Sequence, residues 1–201
     1  MKRAWVFTNG ELSCAPKIKR QAGDILIGVD GGTMHILKLR LKPDLIIGDM
    51  DSLKKIPAGV KVIKYPKDKD LTDTELALNY CEKKKIKEVI VVGFLGRRLD
   101  HMISNLMVMA KSKLKIKVIE GNQELQIVRD TITITGEKGD LVSLVPLLGD
   151  CQKVTTKGLK WGLRGETLQV GKGRGVSNVM MGKSARVSLT KGCLLVVKTV
   201  V

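Results

Sequence analysis

Short apolar runs rich in β-branched residues, at 3–8, 25–29, 45–47, 60–64 and 88–92, alternate with segments of helical period. That alternation constrains the chain more than any other feature. A strand that feeds a helix and returns beside its neighbour builds a parallel sheet covered on both faces. Residues 33–41 are expected to turn Met34, Leu37 and Leu41 inward and to stop at Pro43. Residues 73–85 are expected to bury Leu76, Ala77, Tyr80 and Cys81, and residues 100–112 to bury Ile103, Leu106, Met107 and Ala110. Past Gly121 the pattern changes. Strand-like stretches at 124–129, 131–135, 141–146, 154–156, 167–170, 185–190 and 194–200 follow one another through glycine-dense turns, with no helical period. That reads as a small antiparallel sandwich or barrel. The expected fold is α/β: an N-terminal mostly parallel α/β sheet domain over 1–121, then a C-terminal antiparallel β-sandwich over 122–201.

A composition that is 43% hydrophobic supplies a core for such domains. The first residues carry two basic side chains but too short an apolar run for a signal peptide, and residues 89–95 are far too few to span a bilayer. Cys14, Cys81, Cys151 and Cys193 are scattered, without a CxxC pair, and fit small buried hydrophobes in a reducing compartment. A cytoplasmic protein with no membrane partner is expected.

The net charge is +16, from 36 Lys and Arg against 20 Asp and Glu. Such a balance suits anionic partners: nucleotides, phosphorylated metabolites or nucleic acid. The charge is spread along the chain, and 3% aromatics is poor supply for stacking bases. Against this basic background the aspartates cluster. Asp49, Asp51, Asp68, Asp70 and Asp73 fall between residues 49 and 73, with Asp30 before them and Asp100 after. Asp30 and the Asp49–Asp51 pair each end a strand, and Asp100 lies a few residues past another. In open parallel sheets the carboxyl ends of the strands form one ligand crevice, so these carboxylates are expected to converge there. Converging carboxylates repel, and a hard divalent cation such as Mg²⁺ offsets that repulsion through oxygen ligands. Asp49 and Asp51, two apart in a loop, can face one ion. Lys69, Arg97 and Arg98 can neutralise phosphate oxygens, and phosphoryl transfer requires little beyond positioning and charge stabilisation.

Plainer roles exist for the same residues. An isolated Asp-x-Asp is often a turn or a cap. Thr72, Asp73, Thr74 and Glu75 fit a capping box, with Leu71 and Leu76 as its staple, and Asp100 fits an N-cap. Trp161 fits a core position, and Ser177 and Asn178 fit turns. Other nucleotide signatures are absent. Ser177 stands where a P-loop ending in Gly182-Lys183-Ser184 requires glycine, there is no GxGxxG, and two histidines are too few for HExxH.

Six motifs in order nevertheless resemble those of thiamin pyrophosphokinases. They are Asp30-Gly31-Gly32, Gly48-Asp49-Met50-Asp51-Ser52, Asp70-Leu71-Thr72-Asp73, Gly96-Arg97-Arg98-Leu99-Asp100-His101 followed by Asn105, Gly158-Leu159-Lys160-Trp161, and Gly175-Val176-Ser177-Asn178. Arg97 stands where that family usually has glycine, and Gly162 where proline is common. The resemblance implies a homodimer that moves pyrophosphate from ATP to thiamin with Mg²⁺, the first domain binding ATP and the second binding thiamin and dimerising. It implies catalytic roles for Asp49, Asp51, Asp70, Asp73 and Asp100, with Asp49, Asp51 and Asp73 as metal ligands. Asp30, Lys69, Thr72, Arg98 and Asn105 would bind ATP, and Trp161, Ser177 and Asn178 would hold thiamin. The rivals are the same chemistry on another alcohol, such as a hydroxymethyl pterin, and a nucleic-acid-binding module. The latter should weaken steeply with salt and need no Mg²⁺, and the clustered carboxylates would repel its phosphates.

Overall fold

The structure, a computed structural model, describes residues 2–12, 16, 18–53, 56–96 and 98–201. Cys14 and Arg97 lie outside the described residues. The chain divides into two compact units, Met1–Gly121 and Asn122–Val201.

The first unit carries β1 (Arg3–Phe7), β2 (Ile25–Val29), β3 (Leu45–Gly48), β4 (Lys61–Lys64), β5 (Glu88–Val92) and β6 (Lys115–Glu120). Their order is β6-β5-β1-β2-β3-β4, and every neighbouring pair is parallel. The central strands are buried almost end to end, as strands covered on both faces must be. On one face Trp5, Phe7, Leu26, Ile90 and Val92 pack with Ile36 of α1 (Thr33–Lys38). Val6, Ile27 and Val91 alternate with these and are fully buried as well. α2 (Asp73–Lys83) packs on β2 and β3, and α3 (Leu99–Lys111) packs against α2. The chain runs from β1 outward to β2, β3 and β4, then crosses back through α2 to place β5 on the other side of β1. That reversal opens a crevice at the carboxyl ends of β1 and β5.

Three local expectations change. α1 is shorter than 33–41, because Arg40 takes a left-handed turn (φ 57°). Met34 is exposed and Ile36 takes the inward position, with Leu39 and Leu41 packed beside it. In α3 only Met109 and Ala110 are fully buried, Leu106 is half-buried, and Ile103 and Met107 are exposed. β6 is a further strand, in which lysines alternate with the buried Ile116 and Val118.

The second unit is a sandwich of antiparallel strands. β7 (Gln123–Val128), β14 (Leu194–Thr199), β9 (Leu141–Pro146) and the short β12 (Asn178–Val179) form one sheet, with Val196 opposite Gln126 and Leu144. β8 (Thr131–Thr135), β13 (Ser184–Ser188), β10 (Cys151–Lys157) and β11 (Arg164–Leu168) form the other. The alternate side chains Ile134, Val142, Leu144, Val154, Val187, Leu194 and Val196 fill the space between the sheets. Cys81, Cys151 and Cys193 are buried, and burial pushes the Cys81 thiol up to about 12. Among the described residues no helix is long and apolar enough to cross a membrane.

Candidate active site

A cleft of about 540 Å³ lies at the carboxyl ends of β1, β2, β3 and β5. Each wall follows from a local backbone choice. Asp30 leaves β2 in a left-handed conformation (φ 45°), which aspartate tolerates better than most residues. The second glycine after it is a steric necessity, since a Cβ at Gly32 would run into the Phe7 carbonyl, and a Cβ at Gly31 would push aside the Asn9 side chain. Asp30 is thereby held at 6% exposure, and its Oδ1 has no hydrogen-bond partner among the described residues.

After β3 a second left-handed residue, Met50 (φ 69°), folds the chain so that Asp49 and Asp51 face the same side. The Asp51 amide donates to Asp49 Oδ1 at 3.1 Å, and Ser52 Oγ donates to Asp51 at 3.0 Å. The hydrogen bond from Ser52 and the nearby Lys67 ammonium, 3.4 Å away, hold the Asp51 carboxyl below its ordinary range. One oxygen from each of Asp30, Asp49 and Asp51 lies within 4.8 Å of the others. Three hard oxygen ligands, one of them from the buried Asp30, suit a small divalent cation.

Asp73 stands beside this triad at the start of α2. Its carboxylate pairs with Lys69 at 3.1 Å, and the same ammonium reaches the Pro66 carbonyl at 3.1 Å and Asp49 at 3.9 Å. Burial raises the Asp73 carboxyl above its ordinary value, against the pull of Lys69. Thr72 caps α2 by accepting from the Glu75 amide at 3.2 Å and donates to Asn105 Oδ1 on α3 at 3.4 Å. Arg98 lines the outer part of the cleft with His101 and Met102. It grips Asp100 in a two-pronged exposed pair at 3.1 and 2.5 Å, which holds that carboxyl at about 2.

The structure thus gathers Asp30, Asp49, Asp51, Lys69, Thr72, Asp73, Arg98 and Asn105 around one cleft. Asp70 and Asp100 are exposed and lie outside its lining. Thr8 and Asn9, which extend β1 into the cleft, were not expected from the sequence, and neither were Lys67 and Phe94. Position alone could have found Thr8 and Asn9, since they stand at the end of the first apolar run.

In the second unit Trp161 is 56% exposed, in the loop between β10 and β11, with the Lys160 ammonium 4.9 Å from its ring centroid. It is not a core residue. Ser177 is exposed and left-handed (φ 58°), and its amide donates to Ser143 Oγ at 3.0 Å. Asn178 is buried, and its side chain bonds the Trp161 backbone.

Two family models match. "Thiamin pyrophosphokinase, catalytic domain" matches residues 20–119, and "Thiamin pyrophosphokinase, vitamin B1 binding domain" matches residues 129–194. Thiamine pyrophosphokinase of Bacillus subtilis (strain 168) is 26% identical over 184 residues, 86% of this chain and 86% of the relative. Thiamine pyrophosphokinase 2 of Arabidopsis thaliana is 29% identical over 154 residues, 68% of this chain and 58% of the relative. In fold the chain is similar to the crystal structure of thiamine pyrophosphokinase from Bacillus subtilis, with a TM-score of 0.88 and 24% identity over 100% of both chains. With the two models falling one on each compact unit and together taking in most of its length, the chain belongs to the thiamin pyrophosphokinase family.

Proposed function

We propose that the chain transfers a pyrophosphoryl group from ATP to the hydroxyl of thiamin, giving thiamin diphosphate and AMP. The observation that carries this reading is the convergence of Asp30, Asp49 and Asp51 in a cleft rimmed by lysine and arginine. A cluster of carboxylates would repel a polyphosphate unless a cation stood between them, and the all-oxygen donor set suits Mg²⁺. Bound there, Mg²⁺ would hold the polyphosphate and offset its charge during transfer.

The side chains divide the remaining work. Lys69 is only 14% exposed and is fixed by Asp73, Asp49 and the Pro66 carbonyl, so its ammonium is presented to a phosphate with little freedom left to lose. Asp73 serves by orienting Lys69 beside the triad. Arg98, gripped by Asp100, supplies a forked cation at the outer end of the polyphosphate. Thr72 and Asn105 tie α2 to α3 and offer polar groups to the nucleotide. In the second unit, Trp161 offers an apolar face to the acceptor ring, with Ser177 nearby in the next motif. The thiamin hydroxyl oxygen bonds to the β-phosphorus, the bond from that phosphorus to the α-phosphate oxygen breaks, and the hydroxyl proton is lost as AMP leaves. Residues 1–121 form the ATP-binding catalytic domain and 122–201 the thiamin-binding and dimerisation domain. We take the chain to act in the cytoplasm as a homodimer, as the family resemblance implies.

Incubation with ATP, Mg²⁺ and thiamin is expected to yield AMP and thiamin diphosphate in equal amounts, read by chromatography. ADP with thiamin monophosphate would overturn the proposal.

A further inference from the structure

The loop that carries Trp161 is built as a rigid platform. Thr156 and Leu163 close its base: the Leu163 amide donates to Thr156 Oγ1 at 2.8 Å, and the Thr156 amide donates to the Leu163 carbonyl at 3.0 Å. Leu159 and Leu163 anchor it in the sandwich core. Its edge pairs with the segment around β12, the Lys160 amide donating to the Val179 carbonyl and the Met181 amide to the Gly158 carbonyl, each at 2.9 Å. Trp161 stands at the crest, and an indole left exposed on so fixed a backbone is a preformed stacking surface for a flat ring.

Asn178 completes the platform from beneath. It is 4% exposed. Its Oδ1 accepts from the Trp161 amide at 3.0 Å and from the Val179 amide at 2.9 Å, and its Nδ2 donates to the Trp161 carbonyl at 2.7 Å. Both lone-pair directions and one of two N–H groups are therefore spent on the backbone. The amide orientation is set by its partners, since two N–H donors lie on one side and a carbonyl on the other. The left-handed Ser177 just before it turns the side chain inward. A residue so buried and so fully engaged has little left to offer a substrate.

We infer that Asn178 is a positioning residue that acts through Trp161, fixing the indole against which the acceptor ring stacks, rather than a residue that touches the acceptor. The inference rests on the reading of Trp161 as an acceptor contact, and the test separates the two. Steady-state constants are measured for Asn178→Ala, Trp161→Ala and the double variant, varying thiamin and ATP separately. In parallel, 5-fluorotryptophan is incorporated and the ¹⁹F resonance of Trp161 is followed, assigned by its loss in Trp161→Ala.

If Asn178 acts through the indole, Asn178→Ala raises KM for thiamin about tenfold, the equivalent of one good hydrogen bond. KM for ATP then stays within about twofold, the Trp161 resonance shifts, and the double variant is no worse than Trp161→Ala alone. Effects that multiply in the double variant mean that Asn178 meets the acceptor itself and overturn the inference. A Trp161 resonance unmoved in Asn178→Ala overturns it as well. An unchanged thiamin KM in Trp161→Ala removes the acceptor-site reading and the role built on it, even where the resonance moves. Should Asn178→Ala fail to fold, Asn178→Asp keeps both acceptor bonds while setting a carboxylate oxygen against the Trp161 carbonyl. The same cycle is then read with it.

Discussion

Replacing Asp30 with asparagine should make the metal-free protein more stable and the enzyme inactive. Asparagine adopts the left-handed backbone of this position as readily as aspartate and has nearly the same shape, so the change is one of charge. Coulomb's law at 4.8 Å with an effective dielectric of about 20 gives about 3.5 kcal/mol for each carboxylate pair. Asp51, at 48% side-chain exposure, is screened by water and adds little of this. Asp49, at 15%, is the main opponent, and Lys69 at 3.9 Å already offsets part of its charge. A gain of about 1–2 kcal/mol remains, or roughly 2–8 °C in Tm for a chain of this length. Saturating Mg²⁺ reverses the order. A ligand at one hundred times its Kd adds about 2.7 kcal/mol to the protein that binds it, and the variant has lost one of three ligands. Thermal unfolding of both proteins in EDTA and in excess Mg²⁺ reads this crossing, with turnover assayed beside it. A wild-type protein more stable than the variant in EDTA, or an equal rise in both with Mg²⁺, would refute the reasoning.

Two further outcomes are expected. Asp24 immediately precedes β2 and accepts from Arg3 Nε at 3.1 Å and Nη2 at 2.6 Å, from Trp5 Nε1 at 3.2 Å and from the Gln21 amide at 2.8 Å, and the Arg3 guanidinium chiefly holds its carboxyl at about 2. Asp24→Asn should cost about 2–3 kcal/mol at pH 7, the scale of hydrogen bonds to a charged group. Because the folded pKa is depressed, the contribution is complete above the ordinary carboxylate value near 4 and is lost as pH falls toward 2. The gap between the denaturant midpoints of the two proteins should therefore shrink markedly by about pH 2.5, and an undiminished gap there would refute the assignment. Sedimentation should give about twice the 22.1 kDa of one chain, and a single-chain mass at micromolar concentration would overturn the homodimer.

Much of the fold was legible because burial on both faces leaves a strand little choice but continuous Val, Ile and Leu. Helix faces were less legible. A helical wheel turns the apolar stripe of α3 inward, yet only Met109 and Ala110 are buried, and Ile103 and Met107 stay exposed. β6 was missed because lysines interrupt its apolar residues immediately after a helix. The position of the aspartates at strand ends could be read, but the grouping among them could not. Asp30 joins Asp49 and Asp51 through two left-handed residues that no spacing rule reveals, while Asp73 turns to Lys69 four residues before it, ahead of the helix. The exposure of Trp161 could not be read from the residues alone for a similar reason. Leu159 and Leu163 share its parity and occupy the core, but the chain bends at the crest between them.

Helix α3 is anchored at one end. Its last turn is buried, whereas Leu99, Asp100, His101, Ile103 and Ser104 near its start are exposed. Local opening costs only as much as the contacts it gives up, so the first turns should exchange their amide protons through shallow fraying. Amides near Met109 should exchange only when the whole unit unfolds. Arg98 sits just before the loose end. The cationic wall of the cleft is thereby mounted on the part of the unit that is cheapest to disturb, while the carboxylates at the strand ends stand on buried strands.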